Sequence, residues 1–184
     1  IEQVQSVVRL AFQEKLAIVP SGGRTGLSAG AVAHQGELVL ALDNLNSIAD
    51  FNPTDRTVCC GGGVITQTLQ EYAVAKDLFY PVDFASSGSS QIGGNISTNA
   101  GGIKVIRHGM TRDWVVGLKV VTGTGELLEL NRGLAKNNAG YDLRQLVIGA
   151  EGTLGIVVEA TMKLSRPPKD LAVLVLGLPD MASI

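Results

Sequence analysis

Cysteine and histidine are scarce in this chain, at two residues each among 184. Cys59 and Cys60 are adjacent in a strand-like run, where neighbouring side chains point to opposite faces. Neither an ordinary disulfide nor a two-ligand metal corner is expected from them. They read as small strand residues in a reducing, cytoplasmic compartment. His34 and His108 lie too far apart to form a local ligand pair, so no metal site is expected. Excess positive charge is also missing: 15 Lys and Arg against 17 Asp and Glu leave a net charge of −2. That balance gives no general attraction for nucleic acid. The longest apolar run, Leu171 to Leu178, is far too short for a transmembrane segment, and no signal-peptide pattern is present. The dinucleotide fingerprint G-x-G-x-x-G is absent as well. Gly61 to Gly63 lack its final glycine, and so do Gly123 and Gly125. A nucleotide bound here needs something other than a Rossmann turn.

What the chain has in abundance is glycine, 23 residues of it, within a sequence that is 45% hydrophobic and 17% charged. That composition belongs to a folded protein, with one domain or two small lobes sharing a core. The richest segment is Pro20-Ser21-Gly22-Gly23-Arg24-Thr25-Gly26-Leu27-Ser28-Ala29-Gly30-Ala31. It follows the strand-like run Leu16 to Val19. Glycines at a strand end expose several backbone N–H groups in a concavity that suits phosphate. Arg24 adds a charge with bidentate geometry for phosphate oxygens. A plain tight turn is the alternative. Gly23 is expected at positive φ, so that a Gly23→Ala chain stays folded. Residues 87–102 form a second cluster, with Ile92 and Ile96 four apart on one helix face. Its bare backbone, amides and hydroxyls suit a flat ligand, or equally a close helix crossing. A third segment, Gly149 to Ile156, spaces glycines through a strand entry and reads as a ligand contact or a β-bulge.

The remaining pattern is mixed helix and strand without regular βαβ alternation. An amphipathic helix is expected from Ile1 to Phe12, and a meander from the runs Glu37–Leu42, Ser47–Phe51 and Arg56–Gly61. A helix follows over 64–76. Val115–Thr122 and Glu126–Leu130 bracket a hairpin turn at Gly123-Thr124-Gly125. A short helix at Tyr141–Val147 and a strand at Gly155–Leu164 complete the reading. The strand-like run at 171–178 and the helix at residue 1 suggest a piece of a longer polypeptide.

Taken in order, the three glycine segments resemble the FAD-binding domain of the vanillyl-alcohol-oxidase, or PCMH-type, flavoprotein superfamily. The similar branch holds the glycolate oxidase FAD subunit, D-lactate dehydrogenase and D-2-hydroxyglutarate dehydrogenase. Pro81-Val82-Asp83, Arg107-His108-Gly109 and Asn138 to Leu143 add to the match. The resemblance implies an α+β fold: an FAD-binding domain over 1–170, with lobes of about 1–80 and 81–170 and FAD between them. Residues 171–184 would begin a substrate domain. It implies that Pro20, Ser21, Gly22, Gly23, Arg24, Thr25, Gly26 and Leu27 wrap the pyrophosphate. Gln91, Ile92, Gly93, Gly94, Asn95, Thr98, Asn99, Gly101 and Gly102 would border the ribityl chain and isoalloxazine ring. Pro81, Glu151, Gly152, Gly155 and Ile156 would help enclose the nucleotide.

Members with a covalent flavin carry a His at the first loop, where this chain has Arg24-Thr25-Gly26, so non-covalent FAD is expected. His108 stands where relatives often have Tyr and is read as a packing residue. The resemblance further implies a D-2-hydroxy acid substrate that gives hydride to the flavin. The catalytic base would lie in a following domain, so that this piece is inactive alone. A homodimer or an electron-acceptor partner is implied with it. Arg107, Arg112 and Arg144 are candidate carboxylate partners, or solvated surface arginines. Alternatives are a flavin-holding electron-transfer module and an enolpyruvyl-sugar reductase-like FAD domain.

Overall fold

The computed structural model describes residues 1–134 and 136–183. The chain opens with α1 (Glu2–Glu14), whose Val4, Val8 and Ala11 recur at helical spacing and are the buried positions. The helix ends at Lys15, whose left-handed backbone lets its N–H reach the Ala11 and Phe12 carbonyls. Strand β1 (Ile18–Ser21) then pairs in parallel with β2 (Leu38–Ala41), in register from Ile18↔Leu38 to Ser21↔Ala41. The whole segment 22–37 is the crossover between these two strands. No helix forms within it.

This parallel pair corrects the expected meander. Only β3 (Ile48–Asn52) and β4 (Thr57–Gly61) form the antiparallel hairpin, while β2 leaves it for β1. Parallel pairing between distant segments leaves no local turn signature, whereas Asn52-Pro53-Thr54-Asp55 marks the hairpin directly. Next come α2 (Thr66–Val74), α3 (Ile92–Ser97) and α4 (Val105–His108), then the hairpin β5 (Val115–Val121) and β6 (Leu127–Leu130). The predicted helix at 141–147 is confined to α5 (Arg144–Val147), and β7 (Ile156–Lys163) follows. A five-stranded sheet has the order β3-β4-β7-β5-β6. It joins strands from both sides of residue 80, because β4 pairs antiparallel with β7 from Thr57↔Lys163 to Gly61↔Glu159. Residues 171–178 form no strand; Leu171, Val173, Leu174 and Val175 are all more than 80% exposed.

Both faces of the sheet are covered, with β7 feeding each. On one side Val157, Ala160 and Met162 join Val58, Leu69, Tyr80, Ile92, Ile96 and Trp114 beneath α2 and α3. On the other, Ile156 and Val158 meet Val4 and Val8 of α1. Alternation alone would put Val157 and Ala160 on opposite faces. The register slips between Lys119↔Glu159 and Val120↔Val157. One extra residue of β7 is thereby left over, and a β-bulge of this kind flips every later side chain. Glu159 then faces solvent, where its carboxylate meets Lys119 Nζ at 2.9 Å.

Cys60 is fully buried in the main core, whereas Cys59 faces the other side with Sγ 3.6 Å from Thr161 Oγ1. Burial raises both thiol pKa values, Cys60 to about 12. At about pH 8 the thiolate, which is the reactive form, is therefore scarce in the fold. Iodoacetamide is expected to leave both residues unmodified until urea unfolds the chain, and then to label both, as mass spectrometry would show. Stability should also fall as pH rises past 9, where the unfolded thiols ionise and the folded ones do not.

Candidate functional site

Strand β1 delivers the glycine loop to one cleft, and the other two glycine segments meet it there. Lining residues include Pro20, Gly22 to Gly26, Gln91, Gly93 to Asn95, Thr98, Glu151, Gly152, Gly155 and Ile156. Main-chain bonds fix the second segment to the turn after β4 and to the third segment. Ile92 and Gly93 donate to the carbonyls of Val64 and Gly62, both at 2.8 Å. Gly149 and Glu151 donate to Ile96 and Ser97 at the far end of α3, at 3.0 and 2.8 Å. A Cβ at Gly152 would stand 3.2 Å from the Pro20 ring, so the third segment rests on the end of β1.

The glycines in this cleft do two different jobs. At Gly93 a Cβ would meet the Gly62 carbonyl oxygen at 2.9 Å, so its absence lets α3 lie directly on the sheet. Next to it, Gly94 has nothing within 4 Å of its Cβ position and leaves open space in the cleft. The helix-crossing reading of this cluster thus applies to Gly93, and Gly94 beside it borders open space. Gly23 departs from expectation. Its φ is not positive; Arg24 is the left-handed residue, with φ +54. Gly23 is required because a Cβ there would lie 2.1 Å from the Ser89 carbonyl oxygen.

Among the described residues, no backbone amide from Gly22 to Gly26 donates to a main-chain acceptor. Arg24 adds its guanidinium, with Nη1 3.5 Å from Ser21 Oγ. Five uncommitted N–H groups and one fixed cation make a cradle for an anion.

Several expected residues stand outside the lining. Ser21, Pro81 and Ile92 are buried, and Leu27 is fully exposed. Asn99 receives the Arg112 N–H at 3.1 Å and shapes the turn after α3. Gly101 lies against Met110 and Val105, and Gly102 against the Asp83 carbonyl, at φ +120. The cleft also takes in Ser28 to Val32, Leu42, Phe84, Ser86, Ser97 and Ala100. Of these, Ser28 to Ala31 carried a signal in the glycine-rich segment; Phe84 and Ser86 carried none beyond their place just after Pro81-Val82-Asp83.

The three candidate arginines and His108 also lie outside the lining. Arg144 is tied to Asp142 at 2.8 Å and to the Val115 carbonyl at 2.9 Å. Its hydrogen bond holds the Asp142 carboxyl below its usual pKa. Arg112 donates to Gln145 Oε1 at 2.7 Å, and Arg107 is exposed. His108 sets its ring against Phe79 and Trp114, with centroids 5.9 and 6.5 Å away. Partial burial, then the charges of Arg107 and Lys104, lower its pKa.

Residues 1–131 match the family described as FAD binding domain. The chain belongs to that family. The FAD-binding family's cofactor is a dianionic pyrophosphate carrying flat rings at both ends, and the cleft offers matching parts in loop 22–26 and the bare face at Gly94. The chain is 67% identical over all its length to a D-2-hydroxyglutarate dehydrogenase of Stutzerimonas stutzeri, spanning 40% of that protein. It is 39% identical over 91% of its length to the glycolate oxidase subunit GlcD of Bacillus subtilis, spanning 36% of it. Among solved structures, an alkyldihydroxyacetonephosphate synthase superposes with a TM-score of 0.79 at 27% identity, covering 92% of this chain and 33% of that one. The α+β fold of this FAD-binding chain is thus the fold of PCMH-type flavoproteins. Among the described residues, no helix is long and apolar enough to cross a membrane.

Proposed function

We propose that this chain holds FAD without a covalent bond, for an oxidoreductase that oxidises a D-2-hydroxy acid such as 2-hydroxyglutarate, lactate or glycolate. The observation that carries the cofactor reading is the convergence of loop 22–26, with its uncommitted amides, on the open face of α3. The amides and Arg24 bind the pyrophosphate, and Gly94 leaves the cofactor's path clear. Among the described residues, the cleft lining holds no His, Cys or Tyr to form a link to the flavin. The substrate class rests on the relatives' names and on identity as high as 67%.

When bound, the flavin supplies the acceptor for the hydride that leaves C2 of the hydroxy acid. This chain's part is to bind, orient and partly enclose the cofactor. Among the described residues, Glu151 and Arg24 are the ionisable side chains in the lining. Neither is assigned the hydroxyl proton: a guanidinium carries donors and no acceptor, and Glu151 is exposed. The base and carboxylate partners are placed in the rest of the protein, as is the contact with an electron acceptor or a second copy. Two free thiols fit a reducing, cytoplasmic setting.

Titration with FAD, followed by flavin fluorescence, tests the binding claim; saturable quenching is expected. Acid precipitation of the loaded chain should then leave all the flavin in the supernatant. Flavin retained in the pellet would refute non-covalent binding, and an unquenched titration would refute the cofactor assignment. For the substrate, the whole protein should reduce its flavin with one of the three acids, seen as bleaching of the flavin absorbance.

A further inference from the structure

Away from the cofactor cleft, the small parallel sheet has an open side. Among the described residues, β1 has β2 as its one neighbour. Leu38 and Leu42 donate to the Ala17 and Ser21 carbonyls, at 2.8 and 3.0 Å. Ala17, Val19 and Ser21 thus turn their main-chain groups to β2, and Ile18 and Pro20 turn theirs to the opposite edge. Among the described residues, the Ile18 N–H and the Ile18 and Pro20 carbonyls find no main-chain partner there. Pro20 has no N–H of its own, so this edge offers one donor and two acceptors. Ile18 and Pro20 are half-buried, a setting in which main-chain groups are paired in most folds.

Beside the edge runs a groove of about 530 Å³, far larger than the voids that close packing leaves inside a fold. Phe12, Leu16, Ile18, Val121, Leu154 and Ile156 line it. Phe12, Leu16 and Leu154 are 62, 49 and 55% exposed, so its rim is apolar and uncovered. Among the described residues, Lys15 is the one charged side chain in that lining. An apolar trough next to unpaired main-chain groups suits an extended apolar segment, whose backbone meets the edge while its side chains enter the trough. An apolar small molecule would fill the trough and leave the edge unpaired.

Direction and source follow from α1. Neighbouring parallel strands need a crossover of a dozen or more residues, usually a helix. Helix α1 has 13 residues, and three more lead from it into β1. Its Val4 and Val8 pack on Ile156 and Val158, with Ile18 and Leu40 beside them. That is the place of the helix in a βαβ unit whose second strand is β1, and consecutive strands of such a unit commonly lie side by side. The 67% identical relative is longer than this chain, which spans 40% of it, so the whole polypeptide has residues to supply a first strand.

We infer that the stretch leading into α1 in the whole protein forms a strand on the free edge of β1, parallel to it, and fills the groove. The inference stands apart from the FAD reading. It bears on the site all the same: β1 ends at the glycine loop, and a strand on each side fixes where that loop starts.

The photo-crosslinker benzoylphenylalanine, placed at Leu16 or at Leu154 of the whole protein, tests the source. Illumination should join the groove to a peptide that precedes Ile1, identified by mass spectrometry. Joining to residues after Ile184 or to a second copy would overturn the inference, as would no joining at either position. Hydrogen exchange read at single residues tests the pairing without any substitution. The Ile18 amide should exchange at least about 100-fold more slowly in the whole protein than in the 184-residue chain. Val19, paired with β2 in both, should change by less than about tenfold. An Ile18 amide that is not slowed, or a Val19 amide slowed as much, would equally refute a strand on this edge.

Discussion

A Gly94→Leu chain is expected to fold normally and to lose FAD binding by more than about 100-fold. Gly94 sits inside α3, has ordinary helical geometry, and faces open space in the cleft. Leucine is a better helix former than glycine by up to about 1 kcal/mol. The melting temperature should therefore hold or rise by about 2 °C. The new side chain has nowhere to go but the volume a cofactor would fill. Flavin fluorescence titration beside thermal denaturation separates the two effects. Undiminished affinity in the folded variant would mean that the cofactor does not cross this face of α3.

Gly23→Ala should do the reverse and damage the fold itself. The new methyl would stand 2.1 Å from the Ser89 carbonyl oxygen and 2.8 Å from Ser90 Cα. Both obstacles are backbone, so they cannot rotate away as a side-chain tip would. The segments after β1 and before α3 must separate. Overpacking of this kind costs about 1–3 kcal/mol, or a drop of about 3–10 °C in melting temperature. Saturating FAD should recover part of it by mass action. An unchanged melting curve would mean the two segments are not packed as described.

These two glycines show what was legible in the sequence and what was not. Their presence, order and company identified an FAD-binding chain, and the helix at Ile92–Ser97 followed from Ile92 and Ile96. Which glycine is needed for packing and which for open space depends on what lies across from it. Ser89 and Gly62 are distant in the folding pattern, and no local rule names them. The same limit hid the β1–β2 pairing, since two short parallel strands are joined by contacts rather than by a turn. The antiparallel hairpins were legible because Asn52-Pro53-Thr54-Asp55 and Gly123-Thr124-Gly125 are local signals. In the cleft, Phe84 and Ser86 were invisible for a similar reason: their place is set by the route the chain takes after Tyr80. The bond from Gln91 Nε2 to Asp43 Oδ1, at 3.0 Å, was hidden in the same way, since 48 positions separate the two residues.

The pairing of β4 with β7 also governs how the chain is made. Thr57 finds its partner at Lys163, about a hundred residues later, and β5 closes on the same strand. Of the seven strands among the described residues, the one between them in the sheet is the last to leave the ribosome. Until it arrives, the β3–β4 and β5–β6 hairpins exist as separate ribbons, each with an open edge that can pair with another chain. Closing so long a loop is slow, so the nascent chain carries those edges until β7 has been synthesised. Chains that stop short of Ile156 should aggregate in translation extracts, while those that extend past Lys163 should not.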